Sequence, residues 1–193
     1  MTGAAAQAVF CVFDGHSARG RRWMVPLAAG SLGFALASVA LQLVMLALVP
    51  LLALVIGTLV VALRVMPRAA EGPGAPRRLP WDIPARIVVT TAIVLLLTRL
   101  AGALGPSLTG LLATYPLYGA ILSGFEHHLE GPGPAVRVLR GLLLGLFAFA
   151  GFFFVLALLI ERSGLAPAFA AAVVTALALQ AGALWAMRRD SGA

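Results

Sequence analysis

Long uncharged segments of apolar residues alternate along this chain with short segments rich in arginine, glycine and proline. The first long segment runs from Met24 to Met66 and carries one charge, at Arg64. It is about twice as long as the roughly 20 residues that a helix needs to cross a bilayer. Pro50 disfavours helix in the residue before it. The pattern therefore predicts two spans joined by a tight turn, at 24–47 and 50–66.

The same alternation continues through the second half of the chain. Four further spans are predicted, at 84–104, 107–125, 135–160 and 167–187. The leading segment Thr2–Phe13 is also apolar, but as a helix it would be only about 18 Å long and could not cross alone. The pattern predicts an all-α, polytopic transmembrane helical bundle with six full spans plus a partial N-terminal helix.

Composition excludes an ordinary soluble domain, because 61% of the residues are hydrophobic and only 11% are charged. The net charge of +7 would suggest nucleic acid binding in a soluble protein. Here every basic residue is an arginine, and the arginines lie at the ends of apolar segments. This placement indicates membrane orientation, so no nucleic acid partner is expected. A single cysteine excludes an internal disulfide and any cysteine-rich metal site.

The distribution of arginines predicts which side of the membrane each loop faces. If the loops at 14–23, 67–83 and 126–137 and the C-terminus are cytoplasmic, only Arg99 and Arg162 fall towards the outer side. Positively charged loops are retained in the cytoplasm. We therefore expect a multi-pass protein of the bacterial inner (cytoplasmic) membrane with a cytoplasmic C-terminus, an outer N-terminus and no removable signal peptide.

A shift of 112 residues reveals a candidate internal repeat, because it sets 13–16 (FDGH) over 125–128 (FEHH). The interpretation is a duplication in which 1–66 is the first copy, 67–82 a cytoplasmic loop and 83–193 a four-helix second copy. The alternative is chance matching between apolar helices of low complexity. In the duplication, the first copy is shortened at its N-terminus, and an unsupported half-span would leave unsatisfied backbone groups in lipid. We therefore expect that the true start of the protein lies upstream.

The second copy carries a characteristic set of small and kinking residues. They are Gly110-Leu111-Leu112, Tyr115-Pro116, Gly131, Ala135, Arg140 and Pro167-Ala168-Phe169. With them, the segment from Ile87 to Met187 resembles the GlpM-like family of small four-helix bacterial membrane proteins. The resemblance implies a four-helix inner-membrane unit that is linked in some bacteria to exopolysaccharide production.

Acidic residues and histidines lie together at two corresponding positions of the repeat. Asp14 and His16 belong to the first copy, and Glu126, His127 and His128 to the second. Histidine titrates near neutral pH, so these residues are a candidate proton or cation relay. The alternative is that they anchor helix ends in the hydrated interface. Adjacent histidines lack the spacing of a helical zinc-ligand pair, so no metal site is expected.

A second candidate site is the interruption of the fourth predicted span at Pro116. Tyr115 and Tyr118 flank this proline, and broken helices often form binding sites in transporters. The alternative is a packing kink, since proline is common in membrane helices. Arg99 lies deep in the preceding span and needs a partner, a lipid headgroup or an outward path. Tyr115, Pro116, Tyr118 and Arg99 are therefore the predicted substrate-binding residues.

Glycines spaced for close helix packing occur at Gly141 and Gly145, with Gly30 and Gly33 as their near counterpart. Such pairs allow helices to pack within one bundle or between two copies of a chain. The expected partners are membrane lipids, together with a second copy of the chain or the subunits of an envelope complex.

The sequence contains no nucleophile elbow, phosphate loop or dinucleotide fingerprint, and no paired acid within a span. We predict that the protein is not an enzyme and has no cofactor. The leading hypothesis is a small permease or lipid-linked solute carrier with its site near Pro116. The alternative is a non-catalytic accessory or scaffold subunit of an envelope-polysaccharide assembly or export system.

Overall fold

A computed structural model describes residues 2–18, 22–43, 46–67, 84–85, 87–96, 98–99 and 114–190. Within these ranges the regular elements are all α-helices, which confirms the predicted all-α class. In chain order they are α1 (Thr2–Ser17), α2 (Met24–Gln42), α3 (Leu48–Val65), α4 (Ile87–Leu96), α5 (Leu117–Leu129), α6 (Pro132–Ser163) and α7 (Leu165–Asp190).

Four helices are long and apolar enough to cross a membrane. They are α2, α3, α6 and the Leu165–Trp185 part of α7. Large apolar side chains such as Leu36 on α2 and Leu177 on α7 are exposed on the outside of the bundle. Such a surface matches hydrocarbon rather than water. The spans predicted at 84–104 and 107–125 lie partly outside the described residues.

The N-terminal helix α1 packs against α2, α3 and α6. Alanines and Phe10 on α1 are fully or almost fully buried. α2 approaches closely because it presents glycines to α1: a Cβ added at Gly30 would lie 3.0 Å from the Phe10 ring, and one at Gly33 would lie 3.0 Å from Phe13. The predicted partial N-terminal helix is thus present as α1, and its buried face is supported by contacts with α2, α3 and α6.

The structure moves several predicted helix ends, and proline accounts for two of them. The predicted division of 24–66 into two helices is confirmed, but the predicted start at residue 50 is wrong by two residues, because α3 begins at Leu48 and contains Pro50 in its first turn. The predicted loop before residue 135 is also wrong in part, since α6 begins at Pro132. The first turn of a helix has no intrahelical acceptor for its N–H groups, so proline loses no hydrogen bond there.

Two glycines separate the last three helices. Gly131 has a φ of 92° between α5 and α6, and Gly164 has a φ of 78° between α6 and α7. Glycine adopts these left-handed conformations without the steric cost of a Cβ. The gap predicted between the spans at 135–160 and 167–187 is therefore reduced to Gly164, because α6 continues through Ser163 and α7 begins at Leu165.

Candidate functional site

A buried polar cluster joins the C-terminal end of α1 to α5. Asp14 on α1 is only 3% exposed, and Ser123 on α5 is 2% exposed. The Ser123 hydroxyl donates a hydrogen bond to Oδ2 of Asp14 at 2.9 Å. One turn later on α5, Nε2 of His127 donates to the carbonyl oxygen of Ala18 at 2.9 Å. We call Asp14, Ser123 and His127 the buried cluster.

Burial governs the protonation of this cluster. Asp14 lies on α1, outside the four candidate spans, and burial raises the pKa of its carboxyl group. The hydrogen bond from Ser123 and the charge of the nearby His127 ring oppose that rise. The second ring nitrogen of His127, Nδ1, is buried and has no hydrogen-bond partner among the residues that the structure describes. The cluster thus places a carboxyl group whose neutral form is favoured by burial close to an imidazole ring with one unpaired nitrogen.

The structure brings together only part of the predicted acid–histidine relay. His16 is exposed, and its Nδ1 donates to the carbonyl oxygen of Val12 at 2.9 Å. His128 is exposed too, with its ring edge-on to Trp23 at a centroid distance of 6.2 Å. Glu126 is half-buried on α5. Asp14 is buried at the α1–α5 contact, whereas His16 and His128 are exposed, so the relay and the interfacial anchor both stay predictions.

Sequence reasoning missed Ser123 as the partner of Asp14. The available signal was its spacing, since residues four apart on a helix share one face and Ser123 is four residues before His127.

In the described part of the chain, no group of three or more histidine, cysteine, aspartate or glutamate residues could hold a metal ion.

The chain turns sharply at Pro116, just before α5. The amide of Leu117 donates to the carbonyl oxygen of Tyr115 at 2.7 Å, and Pro116 between them has φ −75° and ψ 56°. This is an inverse γ-turn, whose central φ suits the proline ring. The predicted interruption near Pro116 is confirmed, and it separates Tyr115 from the helix that follows.

Tyr115 links the start of α5 to α1 and α2. Its hydroxyl lies 2.7 Å from Oγ of Ser31, which donates its own proton to the carbonyl oxygen of Leu27 at 2.8 Å. Tyr115 is therefore the donor in the bond with Ser31. Its ring packs edge-on against Phe10 and Phe34, at centroid distances of 5.9 and 5.3 Å.

A groove of about 470 Å³ opens at the surface between α2, α4 and α5. This volume is in the range of small-molecule sites. Trp23 and His128 lie at one end and Tyr115 at the other, and the walls are almost entirely apolar. They include Leu27, Ile93, Ile121 and Phe125.

A polar cavity, which we call the polar mouth, lies next to the groove. It has a volume of about 460 Å³ and is lined by Arg22, Trp23, Met24, His127 and His128. Trp23 and His128 belong to both spaces. An apolar slot thus ends at a cavity that contains an arginine and two histidines.

The four predicted substrate-binding residues do not form one site. Tyr115 lines the groove and Pro116 positions it, but Tyr118 is 68% exposed and is not among the groove residues. Arg99 is also exposed and does not line the groove. Tyr115 and Pro116 therefore adjoin the groove, whereas Tyr118 and Arg99 lie elsewhere on the described surface, and their role in substrate binding stays a prediction.

The two glycine pairs also differ in the structure. Gly30 and Gly33 are in contact with α1 side chains, as described above. At Gly141 and Gly145 of α6, an added Cβ would meet nothing within 4 Å. The first pair therefore allows close packing between α1 and α2. The second pair leaves part of the α6 surface without a packed neighbour, and we call Gly141 and Gly145 the open strip.

Comparison with protein-family models, curated proteins and solved structures gives no match to this chain. Its function is therefore inferred from the groove, the polar mouth and the buried cluster alone.

Proposed function

We propose that the protein is an integral protein of the bacterial inner membrane that carries a lipid-linked solute, with the hydrocarbon chain of the lipid held in the groove. The observation that carries this proposal is the apolar lining between Trp23 and Tyr115. A hydrocarbon chain fits such walls, whereas a polar solute would lose its water without gaining hydrogen bonds. The geometry thus favours a lipid-linked solute over the polar cargo of a simple permease.

The polar mouth supplies the other half of an amphiphile site. Arg22 and His128 lie where the headgroup of a lipid would emerge from the groove. Arginine binds phosphate through paired N–H donors, so a phosphate linkage between lipid and solute suits this position. Recognition of the lipid, rather than of the solute, would then provide most of the affinity.

We further propose six membrane crossings, a cytoplasmic C-terminus and two repeats, at 1–66 and 83–193. Contacts at one end of the bundle support the orientation, because they bring Arg22 close to His127 and bring Arg140 close to Met66 at the end of α3. Positively charged ends of this kind face the cytoplasm. The relation of 87–187 to the GlpM-like family stays a prediction, as does the absence of enzymatic activity.

The relay hypothesis is now limited to the buried cluster. Asp14 and His127 are the two titratable groups that α1 and α5 place together, and Ser123 bridges the helices. His127 also lines the polar mouth. We propose that the cluster takes up a proton in the transport cycle, which would couple occupancy of the mouth to protonation.

The open strip of Gly141 and Gly145 favours a second function. A glycine strip on a membrane helix is a surface against which another helix can pack closely. In this alternative the protein is an accessory or scaffold subunit of an envelope-polysaccharide system, or a homodimer, and the groove binds structural lipid only.

Two matched glycine substitutions distinguish the functions. A Cβ at Gly124, inside the groove, would meet only the Trp23 ring at 3.9 Å, and one at Gly145 would meet nothing. Both positions therefore have room for a Cβ, and a leucine side chain at Gly124 would extend into the groove. The probe is a phosphatidic acid with a photoreactive diazirine in one acyl chain, added to the purified full-length protein.

A carrier with a lipid-binding groove predicts that Gly124→Leu lowers labelling of α5 peptides severalfold, while Gly145→Leu leaves it unchanged. A scaffold predicts that Gly145→Leu abolishes co-purification of partner subunits or of a second copy, and that Gly124→Leu does not. Equal labelling of the wild-type protein and Gly124→Leu would refute the proposed groove.

A further inference from the structure

A third cavity lies at the contact between α3 and α6, and none of its described lining residues lines the groove or the polar mouth. It has a volume of about 560 Å³ and is lined by Leu63, Arg64, Met66 and Arg140. We propose that this arginine cavity binds a phosphate-bearing anion at the level of the lipid headgroups. The site is independent of the proposed carrier function.

The charge of the cavity is the first reason. A guanidinium group is protonated at every physiological pH, so two positive charges line one space. Among the described residues, no acidic side chain lines it. Like charges held near each other repel, and a bound anion turns that repulsion into attraction.

The donors of the two arginines are the second reason. Arg140 is half-buried, and its Nη1 donates to the carbonyl oxygen of Met66 at 3.4 Å. This bond holds the guanidinium at the end of α3, where Arg64 in the last helical turn is exposed. A guanidinium has five N–H donors, so most of those of Arg140 stay available. Phosphate oxygens accept such donors in pairs.

The depth of the cavity in the membrane is the third reason. The stretch from Gly141 to Ile160 is uncharged and lies between Arg140 and Glu161 on α6. It comprises about 20 residues and spans about 30 Å as a helix, which is the thickness of the hydrocarbon core. Arg140 therefore lies at one boundary of the hydrocarbon, where lipid phosphates are found. Basic pockets between membrane helices at this level bind anionic headgroups.

Phosphate at this position comes from a lipid or from solution, and a titration of the full-length protein by native mass spectrometry separates the two. The ligands are phosphatidylglycerol, diacylglycerol with the same acyl chains, and inorganic phosphate. Arg64→Gln is the main variant, because it removes one charge without removing the Arg140–Met66 bond. Arg140→Lys keeps the charge but loses the paired donors. Arg162→Gln at the opposite end of α6 is the matched control.

We expect the wild-type protein to bind phosphatidylglycerol more tightly than diacylglycerol. Arg64→Gln and Arg140→Lys should each weaken phosphatidylglycerol binding about tenfold, with diacylglycerol binding unchanged. Arg162→Gln should behave as wild type. If the variants weaken binding of inorganic phosphate but not of the lipid, the site takes phosphate from solution.

The polar mouth also contains an arginine, so Arg22→Gln is titrated in parallel. Losses at two separate sites should be independent of each other. A loss with Arg22→Gln alone would support the carrier proposal and overturn the arginine cavity. Wild-type affinities of Arg64→Gln and Arg140→Lys for both phosphatidylglycerol and inorganic phosphate would likewise overturn it.

Discussion

The hydroxyl of Ser123 on α5 donates to Oδ2 of Asp14 on α1 at 2.9 Å, although the two residues are 109 positions apart in the chain. Asp14 is the only acidic residue among the buried polar side chains of the described structure. A carboxyl group in such a place is stabilised in its neutral form by burial and in its ionised form by the serine and by His127. This competition leads to the first prediction.

The stability of the protein should fall as pH rises through the carboxyl range. The folded state raises the pKa of Asp14, so it holds the proton more tightly than the unfolded state does. The stabilisation is complete below the ordinary carboxyl pKa and is lost as pH rises through the raised value. Asp14→Asn, a neutral substitute that still accepts from Ser123, should remove this contribution.

Thermal unfolding of the detergent-solubilised protein between about pH 4 and pH 8, followed by circular dichroism, measures the effect over the range in which carboxyl groups titrate. The wild-type Tm should decrease across the range more steeply than that of Asp14→Asn. Glu161→Gln, an exposed carboxylate at the end of α6, is the control and should keep the wild-type slope. Identical slopes for wild type and Asp14→Asn would show that Asp14 does not control the pH dependence.

The sequence indicates which single residues of this site are unusual, but it does not indicate which residues far apart in the chain meet in the fold. Asp14 and His127 stand out because charged and titratable residues are rare in the chain. Ser123 does not, since serine is common near helix ends and its role arises only when α5 packs beside α1. Arg64 and Arg140 are a similar case. In the sequence they indicate only the orientation of the protein in the membrane, whereas in the structure the α3–α6 contact places both of them at one cavity.

The positions of the helices can be predicted from the sequence more readily than the residues at which they begin and end. The length of the apolar segments predicts the helices themselves, because a span needs a minimum number of residues. Proline is an ambiguous signal for a helix boundary, since this residue type occurs both in the first turn of helices and in the turns between them. Pro50 and Pro132 each lie within the first turn of a helix, whereas Pro116 forms a turn before one. Local sequence does not distinguish these cases without the packing around them.

The second prediction concerns the two roles of Tyr115. Tyr115→Phe keeps the ring contacts with Phe10 and Phe34 and loses only the hydrogen bond to Ser31, so it should destabilise the fold by about 1 kcal/mol. Tyr115→Ala removes the ring as well and should cost up to about 3 kcal/mol, the low end of the range for buried aromatic residues, because the ring is only partly buried.

The single cysteine provides the measurement for these variants. Cys11 is fully buried in α1, so a dye that fluoresces on reaction with a thiol reports unfolding at fixed pH. The expected order of unfolding midpoints is wild type, then Tyr115→Phe, then Tyr115→Ala. If both variants unfolded with wild type, the Tyr115 ring would not be part of the core.

The third prediction compares two helical glycines with opposite surroundings. A Cβ at Gly30 would lie 3.0 Å from the Phe10 ring and 3.1 Å from Cβ of Asp14, so Gly30→Ala should destabilise the fold by about 1–3 kcal/mol. A Cβ at Gly57 on α3 would meet nothing within 4 Å, and alanine is the better helix former. Gly57→Ala should therefore leave stability unchanged or raise it by up to about 1 kcal/mol.

The same thiol-reactive dye measures both glycine variants. Gly30→Ala should expose Cys11 at a lower temperature, because it forces α2 away from α1. Equal midpoints for the two variants would contradict the close α1–α2 contact.

The last prediction tests whether the turn at Pro116 shapes the groove. Alanine at this position regains an amide N–H and is free to adopt helical dihedral angles, so α5 can extend backwards through residue 115. The extension would break the 2.7 Å bond between the Leu117 amide and the Tyr115 carbonyl oxygen and would move the Tyr115 ring from the end of the groove. Pro116→Ala should then reduce diazirine labelling of the groove severalfold, whereas Tyr115→Phe, which keeps the turn and the ring, should label as wild type. Unchanged labelling of Pro116→Ala would mean that the groove does not depend on the turn, and that the proline only satisfies packing.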